Sequence, residues 1–122
     1  MYIQLHIICT IVTLEANGFD WDRGNQAKCE KHGLSVAAIE SLFTRPLAIL
    51  PDAAHSQRER RLRAIGRTDK GRAVFIVFTL RREGDELLIR PISARYMHKK
   101  EIQAYEEENP GLQDRPRGGG FR

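Results

Sequence analysis

The stretch that most restricts the fold is "RAVFIVFTL", residues 72–80. It is almost wholly apolar and rich in β-branched and aromatic residues. It is bounded by "TDKG" (68–71) on one side and "RREGDE" (81–86) on the other. A run of this length between turn signals reads as a strand covered on both faces, because a strand with one wet face would alternate. Whatever else the chain forms must cover both sides of it.

The segments around it supply partners. "RRLRAIGR" (60–67) alternates, with Arg61, Arg63 and Ile65 facing one way and Leu62, Ala64 and Gly66 the other. "TDKG" joins it to the apolar strand as a hairpin turn, with Gly71 where a positive φ is expected. "RREGDE" is read as the next turn, and "LLIRPIS" (87–93) as the following strand. There Pro91, which has no N–H to give to a ladder, implies a bulge or an edge. "LAIL" (47–50) is a further short strand and "PDAAHSQRE" (51–59) a polar loop.

Helical spacing governs the flanks. Arg23–His32 is predicted as a helix ended by Gly33 at its left-handed C′ position, with Lys31 and His32 complementing the helix dipole. Ser35 is placed as N-cap of a second helix, Val36–Thr44, which buries Val36, Ile39, Leu42 and Phe43 and stops at Pro46. "FDWD" (19–22) is a short strand or packed turn, and Trp21 is read as a core plug. Met97–Glu107 is predicted as a third helix with Met97, Ile102 and Tyr105 as its apolar stripe. Residues 1–18 form an N-terminal extension with a potential extra strand. Residues 109–122, "NPGLQDRPRGGGFR", form a Gly/Arg tail expected to be disordered for lack of apolar area. The expected class is α+β: two N-terminal helices, an antiparallel sheet of about four strands and a C-terminal helix, with the helices on one face.

Composition narrows the functional classes. Lys and Arg number 20 against 16 Asp and Glu, a formal charge of +4 in 122 residues, which permits a polyanionic partner without requiring one. Cys9 and Cys29 form no CxxC pair, so they suggest neither a zinc site nor a disulfide framework. No metal or other cofactor is expected. The apolar stretch Ile3–Leu14 is too short to span a bilayer, and a cytoplasmic location is expected.

The densest group of chemistry-bearing residues is "HSQRERRLR" (55–63). Guanidiniums along one strand face suit phosphate binding, since each offers a bidentate fork. The competing reading is a solvated strand whose charges guard against aggregation. His55 and Glu59 are the residue types that RNA cleavage by 2′-OH attack needs, one removing a proton and another returning one to the leaving oxygen. Arg95, in "SARYMHKK" (93–100), is placed where a strand gives way to a helix, with Ser93 as a potential cap. It can serve an anion there, or pair with Asp52, Glu59 or a tail carboxylate. Asp20, Asp22 and Asp52 have no spacing that fixes a metal.

The order "FDWD", "KHGLS", "LF" with Pro46, Asp52 and His55, "AIGR", "ISAR" and "E...YEE" resembles the BrnT family, the toxin half of a type II toxin–antitoxin pair. The matching positions include Trp21, Lys31, His32, Gly33, Ser35, Phe43, Arg60, Gly66, Ser93, Arg95, Glu101 and Tyr105, within residues 19–108. Lys28 and Val36 depart from the pattern, where members often have Asn and an aromatic. The resemblance implies a RelE-like fold and a ribonuclease that inhibits translation. It also implies a BrnA-like ribbon-helix-helix antitoxin that alone reaches operator DNA, compatible with a hetero-tetramer. By analogy the catalytic residues are expected to be His55, Glu59, Arg63 and Arg95, with Lys31, His32, Arg61, Arg67 and Lys99 contacting RNA. The alternative is a non-catalytic antitoxin- or nucleic-acid-binding subunit of an autoregulatory complex.

Overall fold

A computed structural model describes residues 10–50 and 61–108. The elements in chain order are β1 (Thr10–Val12), β2 (Gly18–Phe19), α1 (Arg23–Glu30), α2 (Val36–Leu42), β3 (Leu47–Leu50), β4 (Leu62–Arg67), β5 (Ala73–Glu83), β6 (Glu86–Tyr96) and α3 (Lys99–Glu108). Cys9, Asp52, His55, Glu59, Arg60 and the Gly/Arg tail lie outside the described residues.

The α+β class is as expected, but the sheet is larger. It has six strands in the order β1-β3-β4-β5-β6-β2, antiparallel except where β2 runs parallel to β6. The expectation of about four strands undercounts because β1 and β2 are only three and two residues long. Pieces that short carry no period to read. Their pairing is supplied by neighbours: Asn17 N–H donates to Leu87 O at 2.8 Å, and Asp20 N–H to Ile89 O at 2.9 Å.

The apolar run is the fourth of the six strands, flanked by β4 and β6. It continues to Glu83, so Arg81, Arg82 and Glu83 belong to the strand rather than the turn. The hairpin there is only Gly84 and Asp85, with Gly84 at φ 62°. Charged residues extend this ladder because it runs past the end of β4, whose last partner is Phe78, and stands exposed.

One sheet face carries the core. Leu62, Ala64 and Gly66 of β4 share it with Val74, Ile76 and Phe78 of β5. Against them pack Cys29 of α1, Ile39 and Leu42 of α2, and Leu34 and Phe43 beside α2, all nearly or fully buried. Phe19, Phe43 and Phe78 form an edge-to-face chain with centroids 5.7 and 5.1 Å apart. Gly66 is required for space: a Cβ there would meet Leu47 Cδ2 at 2.8 Å and Leu42 Cδ2 at 3.4 Å. Trp21 packs half-buried against this core and donates its indole N–H to Glu40 at 2.9 Å.

The helical caps follow the local sequence. Asp22 and Asn25 form a reciprocal capping box at α1. The Asn25 Nδ2 also donates to the carbonyl of Pro91 at 2.8 Å, tying α1 to β6. Gly33 adopts φ 92° after α1, and Ser35 accepts the Ala38 N–H at 3.1 Å.

The expectation that all helices share one face is corrected. α3 crosses the opposite face, where the Tyr105 ring lies tilted with its centre 6.4 Å from that of Phe75 and Glu101 binds Arg95. Phe75 pairs with Ile65 and Arg95, on the side of the sheet away from Ile76 and Phe78.

Candidate functional site: the cationic sheet face

The second face owes its charge to two strands. On β4 the alternation puts Arg63, Ile65 and Arg67 opposite to Leu62, Ala64 and Gly66, as the sequence indicates. On β6 alternation alone gives the wrong answer. Ile89, Pro91, Ser93 and Arg95 have the same parity, yet Ile89 is in the core. A register shift separates them: Phe78 pairs with Pro91, but Val77 pairs with Ser93, so Ile92 is the extra residue of a β-bulge. The bulge expected from Pro91 is therefore present. It sends Ile89 and Pro91 toward α1, and Ser93 and Arg95 to the cationic face.

The register then fixes the site. Arg63, Val77 and Ser93 form one cross-strand row, and Ile65, Phe75 and Arg95 the next. Arg63 and Arg95 are diagonal across β5. With strands ~4.8 Å apart and a rise of ~3.4 Å per residue, their Cα atoms are about 12 Å apart. Two long cationic side chains at that separation can converge on one phosphodiester. Arg67 stands at the far end of β4, where its guanidinium donates to Gly71 O at 3.0 Å and lies 3.8 Å from Glu106.

Arg95 is the best-defined cation of the face. Both terminal nitrogens donate to Glu101, Nη1 at 2.9 Å and Nη2 at 2.7 Å, and the guanidinium carbon lies 5.0 Å from the Phe75 ring centre. Among the described residues its partner is Glu101; Asp52, Glu59 and the tail, the partners expected from sequence, lie outside them. Glu101 also accepts the His98 N–H at 3.2 Å, half of a capping box at the start of α3. Ser93 is accordingly not a helix cap: β6 runs on to Tyr96, and α3 begins at Lys99. Met97 belongs to neither, and its N–H donates to Ala73 O at 3.0 Å.

This pairing sets the protonation states. The Arg95 hydrogen bonds hold the Glu101 carboxyl at about 2, so it is charged at any physiological pH. Arg95 is shifted up by the same contact. Away from the face, Asp22 is lowered by the Asn25 backbone N–H and then by Arg90, which donates to it at 2.8 Å. Burial raises the Cys29 thiol to about 11, leaving it protonated and inert.

The remaining expected site residues divide. Arg61 is exposed immediately before β4, in phase with Arg63, and Lys99 is exposed at the start of α3. Lys31 and His32 are exposed in the α1–α2 connection, on the helix-covered side of the sheet, and do not join the arginines. His55 and Glu59 fall outside the described residues. Sequence reasoning missed Phe75 as the ring beneath Arg95, and Glu101 and Glu106 as the carboxylates that meet Arg95 and Arg67. The signal for Glu101 was its N3 position after His98, visible only once the helix start is fixed. Among the described residues no group of three or more His, Cys, Asp or Glu could hold a metal ion.

A family model for the ribonuclease toxin BrnT of type II toxin–antitoxin systems matches residues 21–101. The chain belongs to the BrnT family. The match runs from Trp21, beside the α1 cap, to Glu101, the partner of Arg95, so it includes both arginine rows. No curated protein matches the chain. BrnT membership makes this a toxin-family chain with an antitoxin counterpart. No helix among the described residues is long and apolar enough to cross a membrane.

Proposed function

We propose that this BrnT chain is an endoribonuclease that cleaves RNA on the cationic sheet face and so inhibits translation in the cytoplasm. The observation that carries the reading is the diagonal placement of Arg63 and Arg95 across β5. Two guanidiniums directed to one face can bind the scissile phosphate and stabilise the charge that builds on it during 2′-OH attack. His55 or Glu59 serves as the base in this reading. Arg61, Arg67 and Lys99 hold the flanking backbone, and Lys31 and His32 act in a more distant RNA or antitoxin contact. Proton transfer and guanidinium charge supply the chemistry, so cleavage proceeds without a metal. A BrnA-like ribbon-helix-helix antitoxin neutralises the toxin, assembles with it as a hetero-tetramer and brings it to operator DNA.

Purified protein is expected to cut RNA in the presence of a chelator. Arg63→Ala combined with Arg95→Ala should lower the rate at least about a hundredfold, the scale set by losing preorganised donors to a developing anion. The double variant should still unfold cooperatively, since both side chains leave the apolar core untouched. Cleavage that persists in the folded double variant rejects this site. Induced expression without antitoxin separates the catalytic reading from a binding-only subunit: growth arrest relieved by co-expressed antitoxin belongs to the former, normal growth to the latter.

A further inference from the structure

Charged contacts help attach α3 to the sheet. None of its residues from Lys99 to Glu107 is fully buried. It is held through acidic groups on the arginines of the cationic face: Glu101 on Arg95 at 2.7 and 2.9 Å, and Glu106 toward Arg67 at 3.8 Å. An aromatic contact, Tyr105 with Phe75, covers the ring beside Arg95. Its C-terminal half, "YEEE", is strongly acidic.

A carboxylate accepting two parallel N–H bonds from one guanidinium has the same fork geometry as a phosphate. Glu101 therefore occupies the place on Arg95 that a phosphodiester would take. The Phe75 ring, with the Arg95 guanidinium over it at 5.0 Å and the Tyr105 ring 6.4 Å away, adds aromatic surface at the same place. While α3 is seated, that fork is filled from within the chain and Tyr105 lies against Phe75.

We propose that the Glu101 carboxylate marks a phosphate subsite, and that α3 is an internal acidic cover which single-stranded RNA must displace from Arg95, Phe75 and Arg67. The inference rests on the reading that this face binds RNA, and adds to it that the resting chain is self-inhibited. A ligand that requires a minor open state binds more weakly by the fraction open, so loosening the cover strengthens binding. The competing role for Glu101 is positioning: it would hold Arg95 in place for RNA, and its loss would then weaken binding.

The test uses the full chain and a 2′-O-methyl RNA oligonucleotide, which binds but cannot be cut by 2′-OH attack. Affinity is read by fluorescence anisotropy for wild type, Glu101→Gln, Glu106→Gln and Arg95→Ala. Gln at position 101 can still accept the His98 N–H, so the cap survives while the charge is lost. The expected result is binding about tenfold tighter in Glu101→Gln, a smaller gain in Glu106→Gln and a loss in Arg95→Ala. Hydrogen exchange supplies a readout independent of activity: residues 99–108 should lose protection when the oligonucleotide saturates the wild type. Affinity that is unchanged or weaker in Glu101→Gln, or full protection of 99–108 in the wild-type complex, overturns the cover alone. Failure of every variant and the wild type to bind overturns both the cover and the RNA-binding face beneath it.

Discussion

The two faces of the sheet are built on different principles. On the α1/α2 side, Ile39, Leu42, Val74, Ile76 and Phe78 are nearly or wholly removed from water. On the α3 side the contacts include a tilted ring pair and ion pairs, and Arg95 and Glu101 keep 39% and 28% of their side-chain surface exposed. Apolar burial is non-directional and scales with area, so the first face is the stable one. Ion pairs that remain partly wet contribute little to stability and can be exchanged for other charges. The first face therefore holds the fold, and the second is the one to which the RNA-binding role is proposed.

That contrast can be broken most sharply at the central strand. Phe78→Ala should cost ~3–5 kcal/mol in denaturant unfolding, the usual range for a fully buried Phe. Phe75 lies on the opposite face of the same strand and is only partly buried. Phe75→Ala should cost about 1–2 kcal/mol while weakening RNA binding. Equal losses for the two would mean that α3 seals a second core. An effect smaller than that of Phe78→Ala is expected at Gly66, where Ala forces Leu47 or Leu42 aside and should cost ~1–3 kcal/mol, with no direct effect on the arginine face. The smallest effect concerns pH. The Glu101 carboxyl is lowered in the folded chain from 4.5 to about 2. Its contribution is therefore present above pH 4.5 and lost as pH falls from there toward 2. Amide protection of residues 99–108, corrected for intrinsic exchange, should decline over that window in wild type and change less in Glu101→Gln. Asp22 is lowered as well, so protection at the start of α1 should weaken on acidification independently of that variant.

Much of this architecture was legible because local chemistry and tertiary role agree. "LAIL" is a strand at the expected residues, Gly71 takes φ 84° in its turn, and Gly33 and Ser35 separate the first two helices. "RRLRAIGR" presents its arginines to one side because period-two alternation needs only a strand. The site was legible in part. Arg63 and Arg67 could be placed from alternation, but Arg95 could not be given a partner. Its partner lies across a strand-to-helix junction whose position depends on where β6 stops. The charged end of β5 reads as a turn in the sequence because Arg81, Arg82 and Glu83 have no apolar face, whereas a protruding hairpin has no need of one.

By itself the sequence determined the α+β class, the central apolar strand, the helix caps and a cationic strand, since each depends on residues close together in the chain. Only the tertiary structure decided which face Arg95 joins and what it touches. The bulge at Ile92 reverses the phase of β6, and α3 then crosses the sheet to bring Glu101 onto the guanidinium. Both depend on register and on the direction in which the chain leaves a strand, and neither is encoded in any local period.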